Sequence, residues 1–307
     1  MAFISSGRLS LFLSFTLAGT SVIAVRFLPT LKPFTITACS LLLALLLLLP
    51  FCAANLVCSL RQLRKADWMM IGLQAFFGIF LFRAFLLVGL HFTSSMEAGI
   101  MIGCAPALTC LFIRIALREK AGRIAAAGIL CTLVGLFLIQ GIQWMKLSTS
   151  SLVGNALVLC AAASEALFSL LSRIQATRKK SNSCNKLTPL EQSLLVSALA
   201  LAACLPLALF EHPVSSLVHL DVQGWLSLVW YGLVVTLLSY VLWYRGVKRC
   251  SGYTAAAYSS LMPFSSMLFS YFLLKETISG VQWLGGGAIV MGILVIAKAK
   301  TNEQIAA

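Results

Sequence analysis

The chain has 307 residues, of which 60% are hydrophobic and only 10% are charged, and its mean hydropathy is +0.96. A soluble globular domain usually carries about 25% charged residues, so this composition excludes a soluble protein and predicts a polytopic integral membrane protein. The net charge of +14 would suggest nucleic-acid binding in a soluble protein. In a membrane protein, basic cytoplasmic loops are the first explanation for it.

Ten apolar stretches are long enough for a membrane-spanning helix, which needs about 20 predominantly apolar residues. In chain order they are 9–28, 34–53, 68–90, 94–114, 122–142, 152–173, 190–210, 223–244, 253–273 and 279–297. The stretch that follows Arg8 has the form of a signal peptide, but because further spans follow, we interpret it as an uncleaved first helix. The sequence therefore predicts an all-α integral membrane protein with ten transmembrane helices.

Basic residues are distributed unevenly between the two sets of loops that ten spans create. The two termini and the loops after spans 2, 4, 6 and 8 together contain 18 Lys and Arg residues, whereas the opposite loops contain three. Since basic residues accumulate on the cytoplasmic side of a membrane, both termini are predicted to be cytoplasmic. This distribution accounts for the net charge without a nucleic-acid partner and leaves the lipid bilayer as the expected partner.

An internal repeat becomes visible when the chain is shifted along itself by 157 residues. The shift superimposes Pro106 on Pro263, Glu119 on Glu276, Gly128 on Gly285, Gly135 on Gly292, Trp68 on Trp225 and Gly89 on Gly246. In a chain of this composition, coincident Trp, Pro and Gly residues are harder to explain by chance than coincident Leu or Ala residues. The sequence therefore predicts two related halves, residues 1–147 and 148–307.

Each predicted half contains five spans, and this odd number makes the second half enter the membrane in the opposite orientation. Two inverted repeats form related bundles that exchange conformations and expose a central cavity to alternate sides of the membrane. Pro106 and Pro263 each lack a backbone donor and are predicted to kink their helices. Whether they act as fixed kinks or as moving hinges stays open at this point.

The combination of ten spans in two five-helix repeats, each with a proline, a basic–acidic pair and a Gly-x6-Gly helix, resembles the EamA-type transporters of the drug/metabolite transporter superfamily. The resemblance extends over residues 9–297. It implies a multi-pass transporter of small metabolites in the bacterial inner membrane, with a cavity lined chiefly by helices 1, 3, 4, 6, 8 and 9. The first helix has Ala18-Gly19-Thr20-Ser21 where many relatives have a Trp-Gly pair, so no substrate preference is carried over.

Arg83 and Glu97 lie inside predicted spans, where an unpaired ionisable group costs at least a few kcal/mol. Counted from His91 at a rise of about 1.5 Å per residue, Arg83 lies about 12 Å and Glu97 about 9 Å below the outer end of adjacent helices. This similar depth permits an ion pair, and Arg83 equally suits a carboxylate or phosphate group of a substrate. Both interpretations stay open, and both residues are predicted to face the cavity from its outer half.

Glu165 is a further charged residue inside a span, in the inner half of span 6. We interpret it either as the proton-binding group of an antiporter or as a protonated or hydrated glutamate with no coupling role. Tyr240 is predicted to face the cavity from the same half. Gln74 and Tyr258 are further candidates for the cavity lining, although Gln74 is equally suited to bond between helices.

No catalytic, metal or cofactor site is predicted. His212 and His219 share a loop with Glu211 and Asp221, but the spacing matches no common metal site, and there is no P-loop motif for ATP. The predicted function is secondary transport of a small amino-acid-like or amphipathic metabolite, with export implied by the resemblance and proton coupling left open. The alternative is a membrane enzyme or a structural scaffold; the oligomeric state is not predicted.

Overall fold

The computed structural model describes residues 6–93, 95–118, 122–140, 152–177 and 187–305, and within these ranges all regular secondary structure is helical. The α-helices are α1 (Ser6–Gly19), α2 (Ser21–Arg26), α3 (Pro33–Gln62), α4 (Lys65–Ala75), α5 (Phe82–Leu90), α6 (Ser95–Ile102), α7 (Ala105–Leu117), α8 (Arg123–Ile139), α9 (Leu152–Thr177), α10 (Pro189–Phe210), α11 (Pro213–Val218), α12 (Val222–Trp230), α13 (Ser239–Val247), α14 (Gly252–Ser259), α15 (Leu261–Leu274) and α16 (Gly280–Ile305). Two π-helices, π1 (Phe76–Leu81) and π2 (Tyr231–Leu238), join α4 to α5 and α12 to α13.

Seven helical segments in the described ranges are long and apolar enough to cross a membrane. They are Ser6–Arg26, Pro33–Cys52, Lys65–Leu90, Leu152–Thr177, Pro189–Phe210, Val222–Val247 and Gly280–Ala297. The other three predicted spans appear as shorter pieces, because α6 and α7 are separated at Gly103 and Cys104, α14 and α15 are separated at Ser260, and α8 has 17 residues. The count of ten spans therefore stays a prediction.

Apolar side chains cover the outside of the helices as well as the core between them. Leu46 on α3, Ile115 on α7 and Leu130 on α8 are all well exposed. A surface this apolar is unfavourable in water, whereas hydrocarbon chains accommodate it. The chain is therefore a membrane protein, as its composition predicts.

Glycine residues bring the backbones of α8 and α16 close together. A Cβ atom added to Gly135 would lie 2.5 Å from the carbonyl oxygen of Gly285, and one added to Gly128 would lie 2.8 Å from the carbonyl oxygen of Gly292. A backbone oxygen cannot move aside as a flexible side chain can, so these positions require glycine. Small residues allow this kind of close packing between membrane helices.

A second set of glycine contacts joins the first helix of each half to a helix of the other half. On α5, a Cβ atom at Gly89 would lie 3.1 Å from the carbonyl oxygen of Gly154 on α9. On α13, a Cβ atom at Gly246 would lie 3.2 Å from the carbonyl oxygen of Gly7 on α1. Helices α9 and α1 therefore occupy corresponding positions against α5 and α13.

Pro106 and Pro263 each lie in the first turn of the helix that follows an interruption. Pro106 is the second residue of α7, after the break at Gly103 and Cys104, and Pro263 is the third residue of α15, after the break at Ser260. In the first turn, the missing proline N–H costs no helical hydrogen bond. The prolines thus begin new helices rather than bend continuous ones.

Candidate functional site

The first feature of the site is a hydrogen bond between Arg83 and Tyr231. Arg83 is the second residue of α5 and Tyr231 the first residue of π2, so the contact joins two membrane-spanning segments from opposite halves of the chain. Nη2 of Arg83 donates to the hydroxyl oxygen of Tyr231 over 2.7 Å. Within the described part of the chain, Arg83 forms no ion pair. The guanidinium therefore has a neutral phenol where a carboxylate would be the usual partner.

Tyr240 brings two of the predicted site residues into one region. It lies close enough to Arg83 and Glu165 to interact electrostatically with both, and Tyr231 and Cys204 belong to the same neighbourhood. Arg83, Glu165 and Tyr240 each keep part of their surface accessible. Tyr240 thus lies within electrostatic reach of two other predicted cavity residues, Arg83 and Glu165.

Below Tyr240 lies a layer of aromatic rings centred on Phe168. The Phe168 ring meets the Tyr240 ring edge to face with centroids 6.0 Å apart, and it stacks on the Trp243 ring at 6.1 Å. Trp243 in turn meets Phe15 of α1 at 5.5 Å. Phe168 reaches this position because Gly78 of π1 has no side chain: a Cβ atom there would lie 2.4 Å from the Phe168 ring. We call Phe15, Phe168 and Trp243 the aromatic floor.

Gln74 lies on the other side of the aromatic floor, in a network of hydrogen bonds between helices. Its carbonyl oxygen accepts from Gln192 Nε2 and from the Tyr244 hydroxyl, each at 3.1 Å, and from the Ser172 hydroxyl at 3.3 Å. Its amide nitrogen donates to Gln175, which also accepts from Gln192 at 3.1 Å. We call these five residues the glutamine cluster.

The glutamine cluster joins α4, α9, α10 and α13 near the end of the bundle that carries the basic loops. Gln74 is 0% exposed, so its side chain does not line a cavity that a water molecule could enter. Of the two interpretations that the sequence left open for Gln74, the structure favours bonding between helices over a cavity lining. Next to the cluster, Arg173 donates to the carbonyl oxygens of Val247 and Cys250 at the end of α13.

The structure places Glu97 apart from Arg83. The Glu97 carboxylate accepts from the Thr93 hydroxyl at 2.8 Å and from Asn155 Nδ2 at 2.9 Å, and the Thr93 hydroxyl also lies 2.6 Å from Asn155 Oδ1. These bonds tie the start of α6 to the start of α9. The ion pair that equal depth in the membrane would permit is therefore not formed. Local polar groups donate hydrogen bonds to the Glu97 carboxylate, and the Tyr231 hydroxyl accepts a hydrogen bond from Arg83.

Tyr258 also lies outside the Tyr240 neighbourhood. It is a buried residue of α14 whose electrostatic neighbours are Arg8 and Cys250. Since Arg8 belongs to the first turn of α1, Tyr258 lies towards the basic end of the bundle.

The acidic residues near His212 and His219 serve as helix caps. The Glu211 carboxylate accepts from the backbone and hydroxyl of Thr35 at 2.7 and 2.8 Å, at the start of α3. Asp221 accepts from the backbone of Gly224 at 2.7 Å, at the start of α12. Both carboxylates thus satisfy free backbone donors of a first helical turn. Among the described residues, no group of three His, Cys, Asp or Glu side chains is arranged to hold a metal ion.

Sequence reasoning missed Tyr231 and Phe168. The 157-residue shift that superimposes the halves places Tyr231 on Gln74 and Tyr240 on Arg83. Applying that shift to the candidates already chosen would have found Tyr231. Phe168 gives no such signal, because a phenylalanine in a long apolar helix is unremarkable until its ring contacts are known.

Comparison with known proteins shows two copies of one family pattern in the chain. The model of the EamA-like transporter family matches residues 5–141 and again residues 152–298. These two matches together cover most of the chain.

Individual relatives agree with that match. The chain is 30% identical to the uncharacterized transporter YetK of Bacillus subtilis over 93% of its own length and 85% of the relative's. It is 25% identical to a chloroplastic WAT1-related protein of Arabidopsis thaliana, over 93% of this chain and 68% of that one. One solved crystal structure superimposes with a TM-score of 0.76 at 21% identity, covering 95% of this chain and 96% of the other. At that identity the superposition establishes a shared fold alone.

Proposed function

This chain belongs to the EamA-like transporter family, whose members are membrane transporters of the drug/metabolite type, and we propose that it moves small amphipathic metabolites by alternating access. The proposed cargo is amino-acid-like, and the proposed direction is export across the bacterial inner membrane. The direction follows from the family resemblance, since no residue sets it. The named relatives, such as the transporter YetK, support the transport function in its general form.

The observation that carries the proposal concerns Arg83, Glu165 and Tyr240. Each lies deep among the neighbouring helices, and each nevertheless keeps accessible surface. A side chain that is enclosed and accessible at once faces an internal space, whereas a lipid-facing side chain is accessible without being enclosed. This combination supports a central chamber, which a cargo that crosses the membrane through the protein requires.

The glycine contacts support two inverted repeats. Gly128 packs on Gly292 and Gly135 on Gly285, and the 157-residue shift converts Gly128 into Gly285 and Gly135 into Gly292. The shift therefore maps the contact of Gly128 with Gly292 onto the contact of Gly285 with Gly135. A two-fold axis between two antiparallel helices has the same effect. In the proposed transporter this axis lies in the membrane plane, and the halves are the predicted units 1–147 and 148–307.

The remaining contacts between the halves follow the same rule. Gly89 shifted by 157 is Gly246, and their partners Gly154 and Gly7 are the third and second residues of corresponding first helices, α9 and α1. The two π-helices correspond as well, since 76–81 shifted by 157 gives 233–238, inside π2. We assign the moving elements to the pieces that follow the interruptions before Pro106 and Pro263, with these prolines at the hinges.

Glu165 is our candidate for the group that couples transport to protons. It lies in the same chamber as Arg83, close to Tyr240, and a carboxyl group that gains and loses a proton there would alter the charge that the cargo meets.

The positive-inside distribution of basic residues supports cytoplasmic termini. Single cysteines introduced into 55–66 and 175–187, after removal of the native cysteines, should then react only from the cytoplasmic side. Labelling of 175–187 from outside intact cells would contradict this orientation.

The transport proposal is tested by comparing the culture medium of cells that lack the protein with that of cells that overproduce it. We expect at least one amphipathic metabolite to accumulate in the medium of the overproducing cells. The Arg83→Leu variant, made at the same level, should leave the medium like that of the deletion strain, whereas Arg26→Leu, which changes a side chain that is 56% exposed, should behave like the wild type. No change in any extracellular metabolite, together with inactivity of the purified protein in liposomes, would refute the proposal.

A further inference from the structure

We propose that Arg83 and Tyr231 form a binding subsite for a carboxylate, and that the aromatic floor beneath it receives the apolar body of the same molecule. This inference rests on the proposed transport function and specifies its cargo as a monocarboxylate with an apolar or aromatic body. Tyr231, which the family match does not single out, becomes a residue that determines specificity.

The guanidinium of Arg83 has bonding capacity that the protein leaves unused. A guanidinium has five N–H donors, and the described residues provide Arg83 with one acceptor, the Tyr231 hydroxyl at 2.7 Å. An enclosed cation without a counter-ion is costly within a membrane. An anionic ligand offers both the missing charge and acceptors for the planar fork of N–H groups, which matches a carboxylate in geometry.

Tyr231 supplies a second donor to the same ligand. Its hydroxyl oxygen accepts from Arg83, so its own hydrogen is free to point towards another acceptor, and none is found for it in the described part of the chain. Tyr240 places a second phenol within electrostatic reach of Arg83. The two phenols and the guanidinium together form one wall of the subsite. This wall carries several hydrogen-bond donors and a single positive charge.

The charge at this wall favours a carboxylate over a phosphate. Arg83 is the one cation in the group of Arg83, Tyr231, Tyr240, Glu165 and Cys204 that interacts around Tyr240. One guanidinium balances a monoanion, whereas a phosphate dianion would keep an uncompensated charge inside the membrane, near the Glu165 carboxyl. A monoanion is therefore the better match.

The aromatic floor determines what the rest of the ligand looks like. Phe168 and Trp243 stack with an interplanar angle of 25°, and Tyr240 meets Phe168 edge to face. The indole N–H of Trp243 is buried and lacks an acceptor among the described residues. Phe168 and Trp243 are themselves buried, whereas Phe15 and Tyr240, which contact them, keep accessible surface. Accessible aromatic surfaces backed by buried rings bind apolar and aromatic groups through burial and ring contacts. A molecule with a carboxylate at one end and an apolar body at the other thus matches both parts of the chamber.

The test measures thermal stabilisation of the purified, detergent-solubilised protein by defined probes. The probes are 3-phenylpropionate, its neutral amide 3-phenylpropanamide, acetate and inorganic phosphate, each at millimolar concentration. A ligand that binds only the folded state raises the melting temperature, and the stabilisation grows with the logarithm of one plus the ratio of ligand concentration to Kd. We expect the largest shift with 3-phenylpropionate, a smaller one with acetate, which lacks the apolar body, and none with the amide or with phosphate.

Variants assign the effect to the subsite. Tyr231→Phe should weaken binding of 3-phenylpropionate about tenfold, the factor expected for one lost hydrogen bond to a charged group. Arg83→Leu should abolish the shift, and Arg26→Leu, which removes an arginine outside the chamber, should leave it unchanged. If Arg83→Leu does not fold, Tyr231→Phe alone decides the question.

The inference is overturned if 3-phenylpropionate gives no shift, if the amide stabilises the protein as much as the acid does, or if Tyr231→Phe binds the acid as tightly as the wild type. Binding in detergent is measured without any transport. A protein that binds the acid but moves nothing in liposomes would therefore refute the proposed function and leave the subsite intact. A protein that transports a metabolite but ignores the acid would do the reverse.

Discussion

Gln74 and Tyr231 occupy equivalent positions of the two halves, 157 residues apart, yet their surroundings differ. Gln74 bonds to four other side chains from three helices and is 0% exposed. Tyr231 is also buried, at 6% exposed, and among the described residues it has a single bonding partner, Arg83, whose side chain stays partly accessible. The Gln74 carbonyl oxygen thus accepts from three donors, whereas the Arg83 guanidinium has one acceptor among the described residues.

This difference shows how a repeated architecture acquires two functions. A saturated polar cluster between helices contributes to stability and excludes water, because every group already has a partner. An unsaturated polar group costs stability unless a ligand or water completes it. In the proposed transporter, the glutamine cluster holds its helices together at the basic end of the bundle, and the Arg83–Tyr231 region is the part that we propose receives the cargo.

The most severe test of this comparison is Gln74→Leu. The change leaves the Tyr244 and Ser172 hydroxyls and part of Gln192 without their acceptor, at a cost of about 1–3 kcal/mol for each buried group left unsatisfied. We expect the melting temperature in detergent to fall sharply. Gln223→Leu is the matched control, since Gln223 is exposed, and it should change the melting temperature little. Equal effects of the two substitutions would show that the cluster has no special role.

The boundary between the regions is tested by Gly78→Ala. The added methyl group would overlap the Phe168 ring at 2.4 Å and displace the aromatic floor, with an expected loss of about 1–3 kcal/mol in stability. Gly72 precedes it on α4 and has nothing within 4 Å of an added Cβ. Gly72→Ala should therefore stabilise the protein by up to about 1 kcal/mol through helix propensity.

The readout that sharpens the comparison is the stabilisation by 3-phenylpropionate. Displacement of Phe168 in Gly78→Ala should reduce that stabilisation, because the ring supports the apolar body of the ligand, whereas Gly72→Ala should keep it. If Gly78→Ala melts at a lower temperature but binds the acid normally, the aromatic floor is structural and not part of the binding region.

The smallest effect is expected at the ion pair between Arg26 and Glu276. Nη2 of Arg26 lies 2.5 Å from Oε1 of Glu276, but the side chains are 56% and 41% exposed. An exposed pair contributes between about 0 and 1 kcal/mol, so Arg26→Ala, Glu276→Ala and the double variant should melt close to the wild type. A coupling energy above that range in the double-mutant cycle would show that this contact also helps to hold the two halves.

The arrangement of helices and the membrane location follow from local properties of the sequence. Apolar stretches of about 20 residues form helices in a bilayer because every backbone group must find a partner within its own segment. Pro106 and Pro263 are likewise local signals, because a residue without an N–H is tolerated in the first turn of a helix and not in its interior. The span lengths were less predictable, because the breaks before these prolines divide two of the predicted spans.

The membership of the site was decided by the tertiary structure. Depth along each helix predicted that Arg83 and Glu97 could lie at one level, but it carries no information about rotation around the helix axis. The fold turned Arg83 towards Tyr231 and Glu97 towards Thr93 and Asn155.

Sequence alone thus determined that the chain is helical, that it resides in a membrane and that it carries a repeat, because hydrophobicity and spacing are properties of single segments. Only the tertiary structure decided that Gln74 bonds within a buried cluster while Tyr240 lies within electrostatic reach of both Glu165 and Arg83. The physical reason is that hydrogen bonds between helices depend on which faces the packing brings together. Here the close glycine contacts, such as that of Gly135 on Gly285, fix those faces.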